Sequence, residues 1–194
     1  MRTSEKTRKT TETDIRLKLD LDGKGKYDVD TKIGFFDHML ELFTKHSQMD
    51  LFLVCDGDIH VDEHHTVEDC GIVLGQAIAE ALGNKEKICR YATQFVPMDE
   101  TLVMVSLDIS GRPYLKYDAE FLTRGAGEFD AQWCEEFFRA LAVNAGLTLH
   151  IKMMYGENTH HIIEAIFKAA GRAIREAASI DQRLQGVLST KGML

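Results

Sequence analysis

The sequence predicts an α+β fold made of an internally duplicated half-domain, with two mixed sheets sharing one helical layer. Three observations predict it. The string His-His-x-x-Glu occurs twice, starting at His64 and at His160, 96 residues apart, and each copy heads an Ala-rich amphipathic run. Around these strings the order strand, strand, helix, strand, helix is spelled out twice. Pro occurs only at 97 and 113, and no Gly/Ser-rich linker separates the repeats. The expected organisation is therefore one domain of two structural repeats, about 1–92 and 93–194.

In the first repeat, Ile15–Leu21 alternates apolar and charged residues and closes on Asp22-Gly23, the pattern of a half-buried strand; Tyr27–Asp30 follows as a second, shorter strand. Phe36, Met39, Leu40 and Phe43 recur at helical spacing within FFDHMLELFTKH. Asp50–Cys55 and Asp58–Val61 have strand character, and Asp56-Gly57 between them is a hairpin signal. His64–Leu82 is helical again and ends at Gly83-Asn84. The second repeat offers Leu102–Ile109 and Tyr114–Phe121 as strands, Glu135–Leu147 as a helix, Leu149–Met154 as a strand and His160–Ala178 as a helix. Superposing the repeats sets Asp37-His38 against Glu135-Glu136 with a two-residue shift, so Glu136 is the counterpart of His38.

At 194 residues, with 44% hydrophobic and 28% charged content, the chain is long enough to bury a substantial core. Its net charge of −8 argues against a nucleic-acid or anionic-membrane surface as the main business, though a local basic pocket remains open. The start MRTSEKTRKTTETD has no apolar stretch and no run reaches membrane-spanning length, so a cytoplasmic location is expected. Cys55, Cys70, Cys89 and Cys134 are widely spaced with no CxxC pair, a pattern of reduced thiols rather than a zinc knuckle or disulfide framework.

On a helix, residues i and i+4 share a face while i and i+1 diverge by about 100°. His64 with Glu68 can therefore grip one ion while His65 serves another, and the same holds for His160 with Glu164 and for His161. Imidazole with carboxylate suits Mn, Fe or Zn. One isolated copy would more often be a helix-start cap or a surface residue; two copies in register, flanked by Asp62, Glu63 and Asp69, point to metal. His38, His64, His65, His160 and His161 are the candidate histidine ligands, whereas His60 alternates with strand residues and reads as structural. Arg112 in Gly-Arg-Pro, Arg90 after the long first-repeat helix, and Ser189 to Lys191 in Ser-Thr-Lys-Gly are candidate phosphate contacts. Glu12 and Glu100 stand at equivalent strand entrances, as general bases or as solvated strand ends. A dinuclear metallohydrolase acting on a phosphorylated small molecule uses the same ligands, and a ferritin-like storage assembly would require four long helices that this pattern lacks.

With these residues in place, the chain resembles the imidazoleglycerol-phosphate dehydratase family nearly end to end. The resemblance is carried by TTETDI, GFFDHMLELFTKH, GDIHVDEHHTVEDCGIVLGQA, PMDETLV, SLDISGRPYL, LTLHI, THHIIEAIFKAAGRAIREA and STKG. It implies a fold of the ribosomal protein S5 domain 2-like class and dehydration of a phosphorylated small molecule, imidazoleglycerol phosphate, in histidine biosynthesis. It also implies two Mn(II) per active site and a homo-oligomer built from trimers, about 24 subunits in all, with active sites between subunits. On matching positions it assigns His38, His64, His160 and Glu164 to one metal and His65, Glu68, His161 and Glu136 to the other. Glu136 is a departure, because many members carry His there. The resemblance further makes Glu12 a substrate-contacting acid and the expected base. It places His46 near the glycerol chain, and gives Arg90, Arg112, Lys168, Ser189 and Lys191 to the phosphate; His38 is also expected to touch substrate.

Overall fold

The computed structural model describes all 194 residues, Met1–Leu194. In the first repeat the elements are β1 (Thr3–Lys9), β2 (Thr13–Asp20), β3 (Tyr27–Asp30), α1 (Gly34–Ser47), β4 (Asp50–Gly57) and α2 (His64–Leu82). The second repeat runs β5 (Tyr91–Met98), β6 (Thr101–Asp108), β7 (Tyr114–Asp118), a small hairpin of β8 (Gly125–Ala126) and β9 (Phe129–Asp130), α3 (Gln132–Ala145), β10 (Thr148–Tyr155) and α4 (Thr159–Ala178). The sheets have the same topology: β1-β2-β4-β3 and β5-β6-β10-β7, each antiparallel except for its last, parallel pair. The hairpin β8–β9 is the one element without a counterpart.

Alternation explains the central strands. In β2, Thr13, Ile15, Leu17 and Leu19 are buried while Arg16 and Lys18 face out, and β6 buries Thr101, Val103, Val105 and Leu107 in the same way. Two edge strands, β1 and β5, went unread in the sequence. Each pairs with a single neighbour, and TSEKTRK and YATQFVPM carry little apolar alternation. Pro97 sits within β5, where an edge strand tolerates its missing N–H.

Asp58–Val61 is a correction: it forms a turn, with the Val61 N–H donating to the Asp58 carbonyl at 2.8 Å, and Asp56-Gly57 makes no hairpin. The Asp58 N–H instead donates to the Glu12 carbonyl at 3.0 Å, pinning this segment to the β1–β2 turn. His60 is consequently exposed in a turn and not part of a strand.

The helices form the shared layer and pack across the repeats: α1 lies on α4 and α2 on α3. Two equivalent glycines allow this. A Cβ on Gly171 would come within 2.5 Å of the Phe43 carbonyl oxygen, and one on Gly75 within 2.8 Å of the Leu141 carbonyl oxygen. Around the crossings Phe36, Phe137, Phe138 and Phe167 bury completely, in one core of both repeats. Neither repeat can bury its helices alone, because each helix finds its partner in the other half.

Candidate metal centre and its surroundings

Each His-His pair sits at a helix start fixed by the same device. The Asp62 carboxylate accepts the His64 N–H at 2.8 Å, and the Asn158 side chain accepts the N–H groups of His160 at 2.9 Å and His161 at 3.3 Å. Both caps lie two residues before the pair, satisfying N–H groups that a helix start leaves unpaired. Asp62 is thus occupied as a backbone cap. Asp69 is likewise spoken for, buried against Arg8 and the Thr13 hydroxyl.

From its anchored start α4, together with α1, brings three candidate ligands together. His160 Nε2 lies 3.1 Å and His38 Nε2 3.5 Å from Glu164 Oε2, and ligand atoms of all three fall within 4.8 Å of one another. The donor set, two imidazoles and a carboxylate at this spacing, fits a divalent transition ion. Glu164 is buried, with Lys168 Nζ 2.5 Å from its other oxygen. Burial pushes its carboxyl up, but Lys168, His160 and His38 outweigh that and hold it below its usual value. The Phe35 ring meets His160 edge-on at 5.1 Å and packs on Phe129 of the small hairpin, which lines a cavity of about 540 Å³ over His38 and His160.

At the other crossing, His64 Nε2 lies 3.4 Å from Glu68 Oε2, as the i,i+4 spacing requires, and the His64 ring packs against Trp133 at 4.7 Å. Glu136 sits on α3 as His38 sits on α1, with Arg139 Nε 3.6 Å away. His64 is not in the group of His38, His160 and Glu164; within the chain its partner is Glu68.

His65 and His161 point away from these groups. Each has Nδ1 held by a carboxylate: His65 by Asp58 at 3.0 Å, His161 by Glu100 at 2.8 Å. A fixed Nδ1 leaves Nε2 as the nitrogen free to ligate. The Asp58 contact raises the His65 pKa, and the Glu100 carboxyl is held far below its usual range, first by His161 and then by the Asn158 N–H. Glu12 lies at the β1–β2 turn with Oε1 3.8 Å from His65 Nε2 and no side-chain hydrogen bond committing it elsewhere. Its counterpart Glu100 spends its carboxylate on His161, the Thr101 hydroxyl at 2.8 Å and the Asn158 N–H at 2.9 Å.

Lys168 neighbours the candidate metal group, and His46 faces Lys168 and Arg172; burial first, then those two cations, lowers the His46 pKa. Arg90, Ser189, Arg112 and Lys191 stand elsewhere. Arg90 is buried, at φ 71°, with its guanidinium on Asp108 at 2.7 and 3.1 Å and on the Leu188 carbonyl at 2.7 Å. Ser189 follows Leu188, and its hydroxyl accepts the Lys191 N–H at 3.2 Å. The Arg112 side chain is exposed beyond β6. The Arg90 N–H donates to the Ala177 carbonyl at the far end of α4 from His160. At about 1.5 Å rise per residue, the intervening helix separates the two by roughly 25 Å. Asp58, Phe35, Trp133 and Arg172 carry no signal of a site role in the sequence, and Glu100, a strand-entrance acid there, proves to be the partner of His161; the Asx residue two positions before each His-His pair was a legible signal of how the helix starts are held.

The family model described as imidazoleglycerol-phosphate dehydratase matches residues 31–174. Relatives named imidazoleglycerol-phosphate dehydratase include those of Acetivibrio thermocellus, 60% identical over 98% of this chain and 97% of that protein, and Ruminiclostridium cellulolyticum, 61% identical over 97% of each. The crystal structure of the Staphylococcus aureus imidazoleglycerol-phosphate dehydratase is similar at TM-score 0.85 and 43% identity, over 92% of this chain and 99% of that one. The Pyrococcus furiosus enzyme, crystallised in complex with (S)-C348, is similar at TM-score 0.84 and 38% identity, over 97% and 100%. With a duplicated α+β fold, three residues placed to hold a metal ion and full-length relatives of one description, this chain belongs to the imidazoleglycerol-phosphate dehydratase family of hydro-lyases.

Proposed function

We propose that the protein is a Mn(II)-dependent enzyme that dehydrates imidazoleglycerol phosphate to imidazoleacetol phosphate in histidine biosynthesis. The observation that carries this reading is the convergence of His38, His160 and Glu164 within 4.8 Å, in a chain of that family. The repeat supplies the second ligand set: His64 and Glu68 on α2 with Glu136 on α3. His65 and His161, each with Nε2 turned away from its own helix pair, serve centres completed by a neighbouring copy. The division that follows is His38, His65, His160 and Glu164 for one ion, and His64, Glu68, Glu136 and His161 for the other.

The separation of roughly 25 Å between the His160 group and Arg90 supports an active site between subunits, since a three-carbon chain joining ring to phosphate is far shorter. In such an assembly, Arg112, Lys191, Ser189 and Arg90 of one copy would bind the phosphate of a ligand whose ring lies at the histidine groups of another. Lys168 and His46 would orient the glycerol portion. Bound Mn(II) supplies Lewis-acid stabilisation of charge on the imidazole ring. Glu12, the acid of its repeat that is free of hydrogen bonds, takes the proton from the second carbon out from the ring, the hydroxyl on the carbon beside the ring departs and is protonated to water, and the enol left behind tautomerises to the ketone. Holding the phosphate and ring together lowers the barrier by proximity.

The test is turnover of imidazoleglycerol phosphate by metal-stripped protein with and without added Mn(II), following ketone and inorganic phosphate together. Mn(II)-dependent ketone without phosphate is expected; release of phosphate would mark a hydrolase instead.

A further inference from the structure

The two repeats carry their candidate ligands at equivalent helix positions but with different chemistry. His38 and Glu136 are both the fifth residue of 14-residue helices, α1 and α3. The matching is physical and not only numerical. Phe35, the second residue of α1, packs on His160, and Trp133, the second residue of α3, packs on His64. Gly171 crosses over Phe43, and Gly75 crosses over Leu141, the tenth residue of each helix.

On this common frame the charges are exchanged. At the eighth helical position α1 has Glu41, 4.0 Å from His38, and α3 has Arg139, 3.6 Å from Glu136. One group is therefore two imidazoles and one carboxylate: His38, His160, Glu164. The other is one imidazole and two carboxylates: His64, Glu68, Glu136. The contributed histidines, His65 and His161, are alike in having Nδ1 on a carboxylate, so they do not remove the difference.

We infer that the two centres differ in metal selectivity, the imidazole-rich one favouring Zn(II) over Mn(II) and the carboxylate-rich one built on Glu136 retaining Mn(II). This rests on the two-metal reading above. Its physical basis is that oxygen donors suit Mn(II), whereas Zn(II) gains more from imidazole nitrogen. A second carboxylate also adds one negative charge to the centre.

The experiment is equilibrium dialysis of the full-length protein saturated with Mn(II) against rising Zn(II), with both metals retained per chain measured by mass spectrometry and Mn(II) followed by electron paramagnetic resonance. Wild-type protein should lose one Mn(II) per chain at low Zn(II) and the second at a concentration at least about tenfold higher. E136H should lose both together at the lower concentration. H38E, which makes the first group carboxylate-rich, should lose both together at the higher one. Both sites exchanging together in wild type, or a two-step profile that persists in E136H, would overturn the inference while leaving the two-metal reading intact. Protein that retains no Mn(II) at all would overturn both.

Discussion

At the residue scale, the site is decided by which carboxylates are already committed. Of the acids close to the paired histidines, Asp62 caps a helix, Asp69 holds Arg8 and Thr13, and Asp58 and Glu100 fix imidazole nitrogens. Glu12 alone among the strand-entrance acids has its oxygens free of side-chain hydrogen bonds, which fits it to the proposed role of base. Glu12→Gln should lower kcat by about 100-fold or more while metal content stays at the wild-type level; unchanged kcat would remove Glu12 from that role. Another isolated group concerns stability. The Tyr117 hydroxyl is buried without a hydrogen-bond partner, and burial holds its pKa well above the usual value. A proton bound more tightly in the folded state contributes stability below the unfolded phenol pKa of about 10 that is lost as pH rises beyond it. Tyr117→Phe should move the midpoint of alkaline unfolding, followed by circular dichroism, to higher pH.

At the element scale, the helix starts and helix crossings set the geometry. The Asn158 cap orients both histidines of α4 through two backbone N–H groups, so Asn158→Ala should cost about 1 kcal/mol in chemical unfolding. It should also weaken metal retention by freeing the first turn. Gly171 lies where α4 meets the Phe43 carbonyl of α1, and an added methyl at 2.5 Å forces the helices apart. Gly171→Ala should destabilise by about 1–3 kcal/mol, read as a lower denaturation midpoint. At this scale the sequence was well legible for helices. The α2 limits His64–Leu82 agree with the periodicity, because a long amphipathic run closed by Gly83 leaves few alternatives. It was poorly legible for β1, β5 and the β8–β9 hairpin, where edge position or shortness removes the alternation that marks a buried strand.

For the whole molecule, the distance between the histidine groups and the Arg90 region is the governing quantity. On the proposed reading, the ring-binding and phosphate-binding groups lie at opposite ends of α4, so the active site would form between neighbouring copies. Co-expressed His160→Ala and Arg112→Ala chains should form mixed assemblies with activity that neither variant shows alone. No recovery in verified mixed assemblies would place one site's groups within one chain. The crossing of α1 on α4 and α2 on α3 also makes the two repeats one cooperative unit, because the faces that bury Phe36, Phe137 and Phe167 exist only when both are folded.

The duplication, the helix limits, the pairing of His64 with Glu68 and of His160 with Glu164, and the equivalence of His38 and Glu136 are all properties of the linear chain. They follow from periodicities that short-range geometry enforces. Which acid caps, which anchors an imidazole and which stays free depended on contacts between residues far apart, such as Glu100 with His161 and Asp58 with His65. So did the separation of Arg90 from the histidines, which appeared only once β5, β6 and α4 were packed side by side. Local spacing determines what faces a helix presents; only the packed chain determines what those faces meet.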